Sequence, residues 1–230
     1  MQWETFESQD ALADRAAHTL LQAIRKNPRI VLGLPTGRTP MGMYQRVVEE
    51  CSREYHCFGD VVTFNLDEYA GIPREHPASY RTYMRSHLFD HVDIREENAH
   101  VPDGMHPDPD AYEREIQAAG GVELTFLGLG RNGHIGFNEP GTPFDSRTRI
   151  VALTSSTRHA NADFFPDGHV PTHAITMGIG TILESRRIVL LAAGAGKEHA
   201  IARLRSGEVT EEFPASALWR HADVEVLAIG

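Results

Sequence analysis

The sequence of 230 residues has few of the features that mark secreted, membrane-bound or metal-binding proteins. Its two cysteines, Cys51 and Cys57, lie in one polar segment without the spacing of metal ligands, and we expect reduced thiols. No run of 18 apolar residues occurs, and no basic segment followed by an apolar one opens the sequence. We therefore predict a cytoplasmic protein with no bound metal and no membrane partner.

Positive charge is also scarce, because 22 lysines and arginines stand against 32 acidic residues and give a net charge of −10. This balance disfavours nucleic acid as a partner, although a local basic pocket for a small anion is compatible with it. The 13 histidines are scattered and do not indicate a metal store. No linker, repeat or low-complexity segment divides the chain, and we expect a small-molecule partner.

Short apolar runs alternate with helical patterns along the whole chain. This alternation predicts an α/β fold: a single three-layer αβα domain over residues 1–230 with an open, mostly parallel, Rossmann-like sheet. The region from about 149 to 177 mixes strand, helix and loop and could form a lid. The predicted strands are 30–34, 61–66, a central strand near 122–128, 150–153, 173–177, 188–192 and 224–229, and the predicted helices are 8–26, 41–50, 111–119, 155–165, 179–185 and 197–205.

The segment 124–139 is the first candidate site, because an apolar strand gives way there to glycines and titratable groups. Ligands of open α/β sheets bind beyond the carboxyl ends of the strands. His134, between Asn132 and Glu139, is therefore predicted to act as an oriented acid or base. The glycines only loosely resemble a dinucleotide fingerprint. The region reaches Thr154 where a ribose hydroxyl would need an acid, so we predict no bound nucleotide.

Two other strand exits each allow two interpretations. The loop at 35–40 gathers hydroxyls, a glycine and free amides before a helix, as in a phosphate site, but it could equally be an ordinary turn capped by Thr39. Asp67 and Glu68 follow the next strand. A carboxylate there could cap a helix or, half buried beside a second carboxylate, serve as a base with a raised pKa.

Four segments of the sequence carry distinctive motifs. They are Leu-Gly-Leu-Pro-Thr-Gly-Arg-Thr-Pro (32–40), Thr-Phe-Asn-Leu-Asp-Glu-Tyr-Ala-Gly (63–71), Gly-Arg-Asn-Gly-His-Ile-Gly-Phe-Asn-Glu-Pro (130–140) and Ser-Arg-Thr-Arg (146–149), supported by Glu-His-Pro-Ala-Ser-Tyr (75–80) and Phe-Pro-Ala-Ser-Ala-Leu (213–218). Together, and in this order, they resemble the glucosamine-6-phosphate deaminase family. A chance match to one glycine-rich stretch is easy, whereas a match to four segments in order is not.

The resemblance implies an enzyme, of the hydrolase and isomerase kind, that converts a 2-amino sugar 6-phosphate to a ketose 6-phosphate and ammonia without metal or organic cofactor. It implies that Asp67 moves a proton between C2 and C1 and that His134 opens the sugar ring. It also implies that Asn132 and Glu139 orient the imidazole. The implied phosphate-binding residues are Thr36, Gly37, Arg38, Thr39 and Lys197.

The chain departs from the family at several positions. Asn132 replaces the Asp of one branch, which leaves Glu139 as the ionic partner of His134 and predicts a lower imidazole pKa. Arg38 stands at a glycine of the phosphate loop and Asp163 at an arginine of the lid helix. Either Arg38 supplies the missing cation, the interpretation we prefer, or Arg38 and Asp163 pair with each other.

The regulated relatives carry a lysine where this chain has Val151, although Arg149 is kept. The resemblance therefore does not imply allosteric control, and we expect a monomer or a small homo-oligomer. Two other functions remain open: a lactonase similar to 6-phosphogluconolactonase, which has no use for a base at Asp67, and a non-catalytic sugar-phosphate binding module. The sequence leaves open gluco or galacto substrates and the need for the 6-phosphate.

Overall fold

The computed structural model describes residues 1–53, 57–165 and 168–230, and only the backbone of residues 156 and 160. The helices are α1 (Gln9–Lys26), α2 (Met41–Cys51), α3 (Tyr80–His87), α4 (Pro109–Ala118), α5 (Ser155–Ala160), α6 (Ile179–Leu183) and α7 (Glu198–Arg205). The strands are β1 (Gln2–Phe6), β2 (Val31–Leu34), β3 (Val62–Asn65), β4 (Asp67–Tyr69), β5 (Ala99–His100), β6 (Leu124–Gly128), β7 (Arg149–Ala152), β8 (His173–Thr176), β9 (Arg187–Ala192) and β10 (Val224–Ile229).

Seven of these strands form one parallel sheet in the order β1-β10-β9-β6-β2-β3-β5. The chain runs outward from β2 through β3 to β5, returns to the centre at β6, and continues outward through β9 to β10. The strand order therefore reverses between β2 and β6. Open α/β sheets bind ligands at such a point, beyond the carboxyl ends of the strands.

The central strands are buried on both faces, which explains their continuous apolar sequences. On β9, Val189 and Leu191 face one apolar cluster and Ile188 and Leu190 face another. Helices α1 and α2 contribute to the first cluster, and α4, α6 and α7 to the second. Each fully buried Leu or Ile contributes about 1.5–3 kcal/mol. The predicted α/β class, with helices on both sides of a mostly parallel sheet, is confirmed.

Helix α1 begins and ends where the sequence predicts. The Ser8 Oγ accepts a hydrogen bond from the Ala11 N–H at 3.1 Å, so the predicted N-cap is present. The helix ends at Lys26, just before Pro28. Eight of its residues are buried, on the side that packs against the sheet.

Among the described residues, no helix combines the length and the apolar sequence that a membrane-spanning helix needs.

A second, antiparallel sheet was not predicted from the sequence. It has three strands in the order β4-β8-β7 and shares no strand with the main sheet. Residues of β7 alternate between half-buried and exposed, with Ile150 on the exposed side, so this strand covers one face only. The edge strand β1 was also missed, because its polar and aromatic residues lack the apolar run of a central strand.

The expectation of reduced thiols is wrong for this structure. Cys51 and Cys57 form a disulfide, with their Cα atoms 5.5 Å apart. Helix α2 ends at Cys51, and both cysteines are buried at the edge of the first apolar cluster, which brings their side chains together. Spacing along the sequence does not show that these two side chains meet.

Candidate active site

A cavity of about 790 Å³ lies where the strand order reverses. Its walls come from the loops after β2, β3, β6 and β9 and from the segment that contains α5. Most of the site residues predicted from sequence meet there, although their segments are far apart in the chain. They are Thr36, Gly37, Arg38, Asp67, Asn132, His134 and Lys197.

The two acids that follow β3 have different environments. Asp67 lines the cavity, and a Cβ added at Gly136 would lie 3.3 Å from the Asp67 Oδ2 atom. Glu68 instead accepts hydrogen bonds from the N–H groups of Tyr80 (2.9 Å) and Arg81 (3.1 Å), at the start of α3. Neighbouring residues of a strand point to opposite faces, so β4 separates the two carboxyl groups. Glu68 therefore takes the capping position at the start of α3, and Asp67 is the carboxyl group that faces the cavity.

Burial changes the protonation of both acids. Asp67 is only 6% exposed, and burial together with the neighbouring Glu68 charge raises its pKa to about 8. Burial also raises the pKa of Glu68 to about 7, although the backbone N–H groups that it accepts from oppose this shift. Asp67 can therefore both take up and release a proton near neutral pH.

The raised pKa predicts how Asp67→Asn affects stability. Between the ordinary pKa of an Asp, about 4, and about 8, the folded protein holds a proton that the unfolded chain has lost, so stability falls as pH rises. Asn carries no such penalty. We expect the variant to melt higher than the wild type at pH 8 by several degrees, with a difference that shrinks toward pH 5, as measured by thermal denaturation.

The matched control for this experiment is Asp163→Asn, because the Asp163 side chain is 86% exposed. It should leave the melting temperature almost unchanged at either pH. A pH-independent difference between Asp67→Asn and the wild type would contradict the raised pKa of Asp67.

Glycines position the imidazole of His134. A Cβ added at Gly130 would lie 2.4 Å from the His134 ring, so no side chain fits there. Gly133 has a φ of 87°, and a Cβ on it would meet the Phe213 ring at 2.1 Å. The backbone N–H of His134 donates to the Asn132 Oδ1 at 3.2 Å, and this hydrogen bond fixes the backbone of the loop.

Glu139 lies behind the imidazole and is held from two sides. Its Oε2 accepts from the Asn132 Nδ2 at 2.6 Å and its Oε1 from the Thr157 hydroxyl at 2.6 Å. The same Oε1 is 3.8 Å from the His134 Nδ1, and this buried nitrogen has no hydrogen-bond partner among the described residues. Glu139 therefore lies behind His134 and does not line the cavity.

The pKa of His134 is lowered. Burial of the ring is the main cause and the charge of Lys197 adds to it, while Glu139 opposes the shift. The imidazole is therefore neutral at pH 7, with one nitrogen able to accept a proton. Sequence reasoning missed Thr157, because a hydroxyl in the first turn of a short helix carries no signal of a partner 18 residues away.

The loop after β2 is held by two tyrosine hydroxyls. Tyr44 donates to the Pro35 carbonyl oxygen and Tyr83 to that of Gly37, each at 2.6 Å. Gly37 has a φ of 96°, which a side chain would strain. The prediction for Thr39 is corrected, because Thr39 does not line the cavity and its hydroxyl donates to the Ala193 carbonyl oxygen at 3.4 Å. Nor does Thr39 cap α2, whose N-cap is Pro40.

Two of the predicted cations line the cavity in different environments. The Lys197 Nζ donates to the Leu129 carbonyl oxygen, and burial lowers the pKa of this amine. The Arg38 Nη2 is 3.9 Å from the Asp163 Oδ2, but both side chains are largely exposed. The contact expected for a pair is thus present, yet an exposed pair contributes only about 0–1 kcal/mol. It is too weak to withhold Arg38 from a bound anion.

Comparison with known proteins defines the family. The model of the glucosamine-6-phosphate isomerases/6-phosphogluconolactonase family matches residues 4–227. The chain belongs to this family.

Among the residues that the structure describes, no group of three or more His, Cys, Asp or Glu is arranged to hold a metal ion.

Within the family, this chain is similar to proteins named glucosamine-6-phosphate deaminase. One from Lysinibacillus sphaericus is 50% identical over 99% of this chain and 98% of its own length. One from Shouchella clausii is 49% identical over 95% of this chain and 91% of its own. The solved structure of a monomeric glucosamine-6-phosphate deaminase superposes with a TM-score of 0.96 at 43% identity, covering 100% of this chain and 97% of the other.

The lactonases of the family share the fold at a greater distance. The crystal structure of 6-phosphogluconolactonase from Thermotoga maritima has a TM-score of 0.77 at 19% identity, over 100% of this chain and 99% of that one. At this identity the likeness concerns the fold alone. The choice between the two reactions therefore depends on the site of this chain.

Proposed function

We propose that this protein is a glucosamine-6-phosphate deaminase, which converts glucosamine 6-phosphate and water to fructose 6-phosphate and ammonia. The observation that carries the proposal is the arrangement of Asp67 and His134 in one cavity. A buried carboxyl group with a pKa near 8 and a neutral imidazole face the same space. A lactonase needs a group that activates water but has no step for a second proton acceptor at Asp67.

The proposed reaction begins with opening of the pyranose ring. The neutral imidazole of His134 accepts the proton of the O1 hydroxyl and delivers a proton to O5, so that the C1–O5 bond breaks and an aldehyde forms. Asn132 and Thr157 hold Glu139, whose charge stabilises the imidazolium that forms in between. We propose that Asn132 and Glu139 orient and stabilise the imidazole, and that neither residue exchanges a proton with the sugar.

Isomerisation follows in the open-chain sugar. Asp67 takes the proton from C2 while O1 gains a proton from the ammonium group of the sugar, which leaves an enol with a neutral amino group on C2, and Asp67 then returns its proton to C1. The product is a ketose imine, and addition of water to C2 releases ammonia. Each step moves protons or adds water, so no electrons are exchanged with a cofactor. A carboxyl group with a pKa near 8 suits both halves of the transfer.

We further propose that the 6-phosphate is bound at the end of the cavity formed by the loops after β2 and β9. The amides at Thr36 and Gly37, the Arg38 guanidinium and the Lys197 amine would bind the dianion. The segment 149–177 would act as a lid, because it carries Thr157 onto Glu139 and Phe164 onto the cavity wall.

We propose a single domain over residues 1–230.

The role of Arg38 is tested by Arg38→Gly. If the guanidinium binds the phosphate, this variant should raise KM for glucosamine 6-phosphate about tenfold to a hundredfold, the loss of one charge-assisted pair of roughly 1.5–3 kcal/mol. The melting temperature should change little, because the Arg38 side chain is exposed. Steady-state kinetics and thermal denaturation give both quantities.

The matched variant for this test is Asp163→Ala. If Asp163 instead withholds Arg38 from the substrate, its removal lowers KM, whereas Arg38→Gly then leaves KM unchanged. An unchanged KM in Arg38→Gly would therefore contradict the assignment of Arg38 as a phosphate ligand.

The proposed function is tested by assaying one preparation for ammonia release from glucosamine 6-phosphate and for hydrolysis of 6-phosphogluconolactone. We expect ammonia release and no lactone hydrolysis. Lactone hydrolysis alone would establish the lactonase, and binding of both sugars without turnover would establish a binding module. Galactosamine 6-phosphate and unphosphorylated glucosamine, tested beside them, define the configuration and the need for phosphate.

We propose that the protein acts as a monomer in the cytoplasm. The solved relative with a TM-score of 0.96 is described as monomeric, which supports the first part. Size-exclusion chromatography with light scattering should give a mass near 25.6 kDa. A stable larger species would contradict it.

A further inference from the structure

Arg131 lines the cavity but has no part in the roles given above. It lies in the loop after β6, the strand between β2 and β9 in the sheet. The loops after these three neighbouring strands each bring one cation to the cavity: Arg38 after β2, Arg131 after β6 and Lys197 after β9. Arg131 is the central one of the three.

The guanidinium of Arg131 lies against the residue that precedes Lys197. A Cβ built on Gly196 would be 3.2 Å from the Arg131 Nε and 3.4 Å from its Cζ. Gly196 also has a φ of 79°, a conformation that favours glycine. The glycine thus leaves room for the guanidinium beside the lysine, and the loops after β6 and β9 fit together around this contact.

Arg131 and Lys197 are like charges without a carboxylate to neutralise them. In the part of the chain that the structure describes, neither side chain is within ion-pair distance of an acid, although the protein has ten more acids than lysines and arginines. The charge of Arg131 contributes to the lowered pKa of the Lys197 amine. Two adjacent cations repel each other unless an anion joins them.

We propose that Arg131 is a substrate-binding residue that binds, together with Lys197, the phosphate dianion of the sugar. The identity of the anion rests on the proposed function, whereas the anion site itself rests on the placement of Arg131, against Gly196, and Lys197 in one cavity. The planar guanidinium donates two parallel N–H bonds to two phosphate oxygens, and the amine of Lys197 donates to the same group. The bound dianion neutralises both charges.

The test is Arg131→Gln, which removes the charge and keeps most of the side-chain length. With glucosamine 6-phosphate we expect KM to rise about tenfold to a hundredfold and kcat to stay within about twofold, because the phosphate does not react. The Kd of inorganic phosphate, measured by calorimetry, should rise by a similar factor. Arg131→Lys should restore part of both. The matched control is Arg85→Gln, which removes an exposed arginine paired with Asp90 outside the cavity.

The two measurements separate this inference from the proposed function. If the wild type binds phosphate but releases no ammonia, the proposed function is wrong, and the phosphate Kd of Arg131→Gln still decides the role of Arg131. If the wild type releases ammonia and Arg131→Gln keeps both KM and the phosphate Kd within twofold of the wild type, Arg131 does not bind the phosphate.

Discussion

Asp67→Asn should lower kcat for glucosamine 6-phosphate by roughly 10²- to 10⁴-fold, the usual contribution of a positioned acid or base. Asn has nearly the shape of Asp but cannot accept the C2 proton. KM should change little, because the proposed phosphate ligands lie on other loops. Ammonia release at saturating substrate measures the loss, and the melting temperature establishes that the variant is folded.

The control for Asp67→Asn is Glu68→Gln. Glu68 is as buried as Asp67, but it accepts hydrogen bonds from backbone N–H groups at the start of α3. Glu68→Gln should keep kcat near the wild-type value, because Glu68 does not line the cavity. Turnover near the wild-type rate in Asp67→Asn would show that Asp67 is not the base.

The pH dependence of kcat/KM tests the same group in the wild type. Asp67 must be ionised to take the C2 proton, and burial raises its pKa to about 8 in the free protein. We therefore expect kcat/KM to fall as pH drops below about 8, while the His134 imidazole stays neutral over that range because its own pKa is lowered.

His134→Gln should reduce turnover of the cyclic sugar by a similar factor, roughly 10²- to 10⁴-fold. Ring opening needs one group that accepts a proton from O1 and delivers one to O5, and the amide of Gln does neither near neutral pH. The residual rate should approach that of spontaneous ring opening in solution. Ammonia release with the cyclic substrate is the measurement.

The matched variant for His134→Gln is Glu139→Gln. It keeps one oxygen, which can accept from Asn132 or from Thr157 but not from both, and it removes the charge 3.8 Å from the His134 Nδ1. We expect a smaller loss of kcat than for His134→Gln, because the imidazole remains. A His134→Gln variant that turns over the pyranose form at the wild-type rate would exclude a role in ring opening.

The sequence predicts the parts of the site that follow central strands. β2 and β6 are short apolar runs, and residues such as Asp67 and His134 follow strands whose carboxyl ends meet at one edge of the sheet. The α/β class follows from the same alternation, since parallel strands buried on both faces need apolar residues throughout.

The remaining features depend on contacts between distant segments. Which of Asp67 and Glu68 faces the cavity depends on where α3 begins, and no pattern near β4 shows this. The antiparallel sheet pairs three short strands from positions far apart, and the Cys51–Cys57 disulfide depends on where the two buried side chains meet. Arg131 gave no signal either, because its environment is created by Gly196, which is 65 residues away.

The most direct test of the proposed deamination measures both products of the reaction. Purified protein is incubated with glucosamine 6-phosphate, and ammonia and fructose 6-phosphate are determined in the same samples over time, with Asp67→Asn as the matched preparation. We expect equal molar amounts of the two products with the wild type and almost none with the variant. Fructose 6-phosphate without ammonia, or equal rates from the two preparations, would contradict deamination through Asp67.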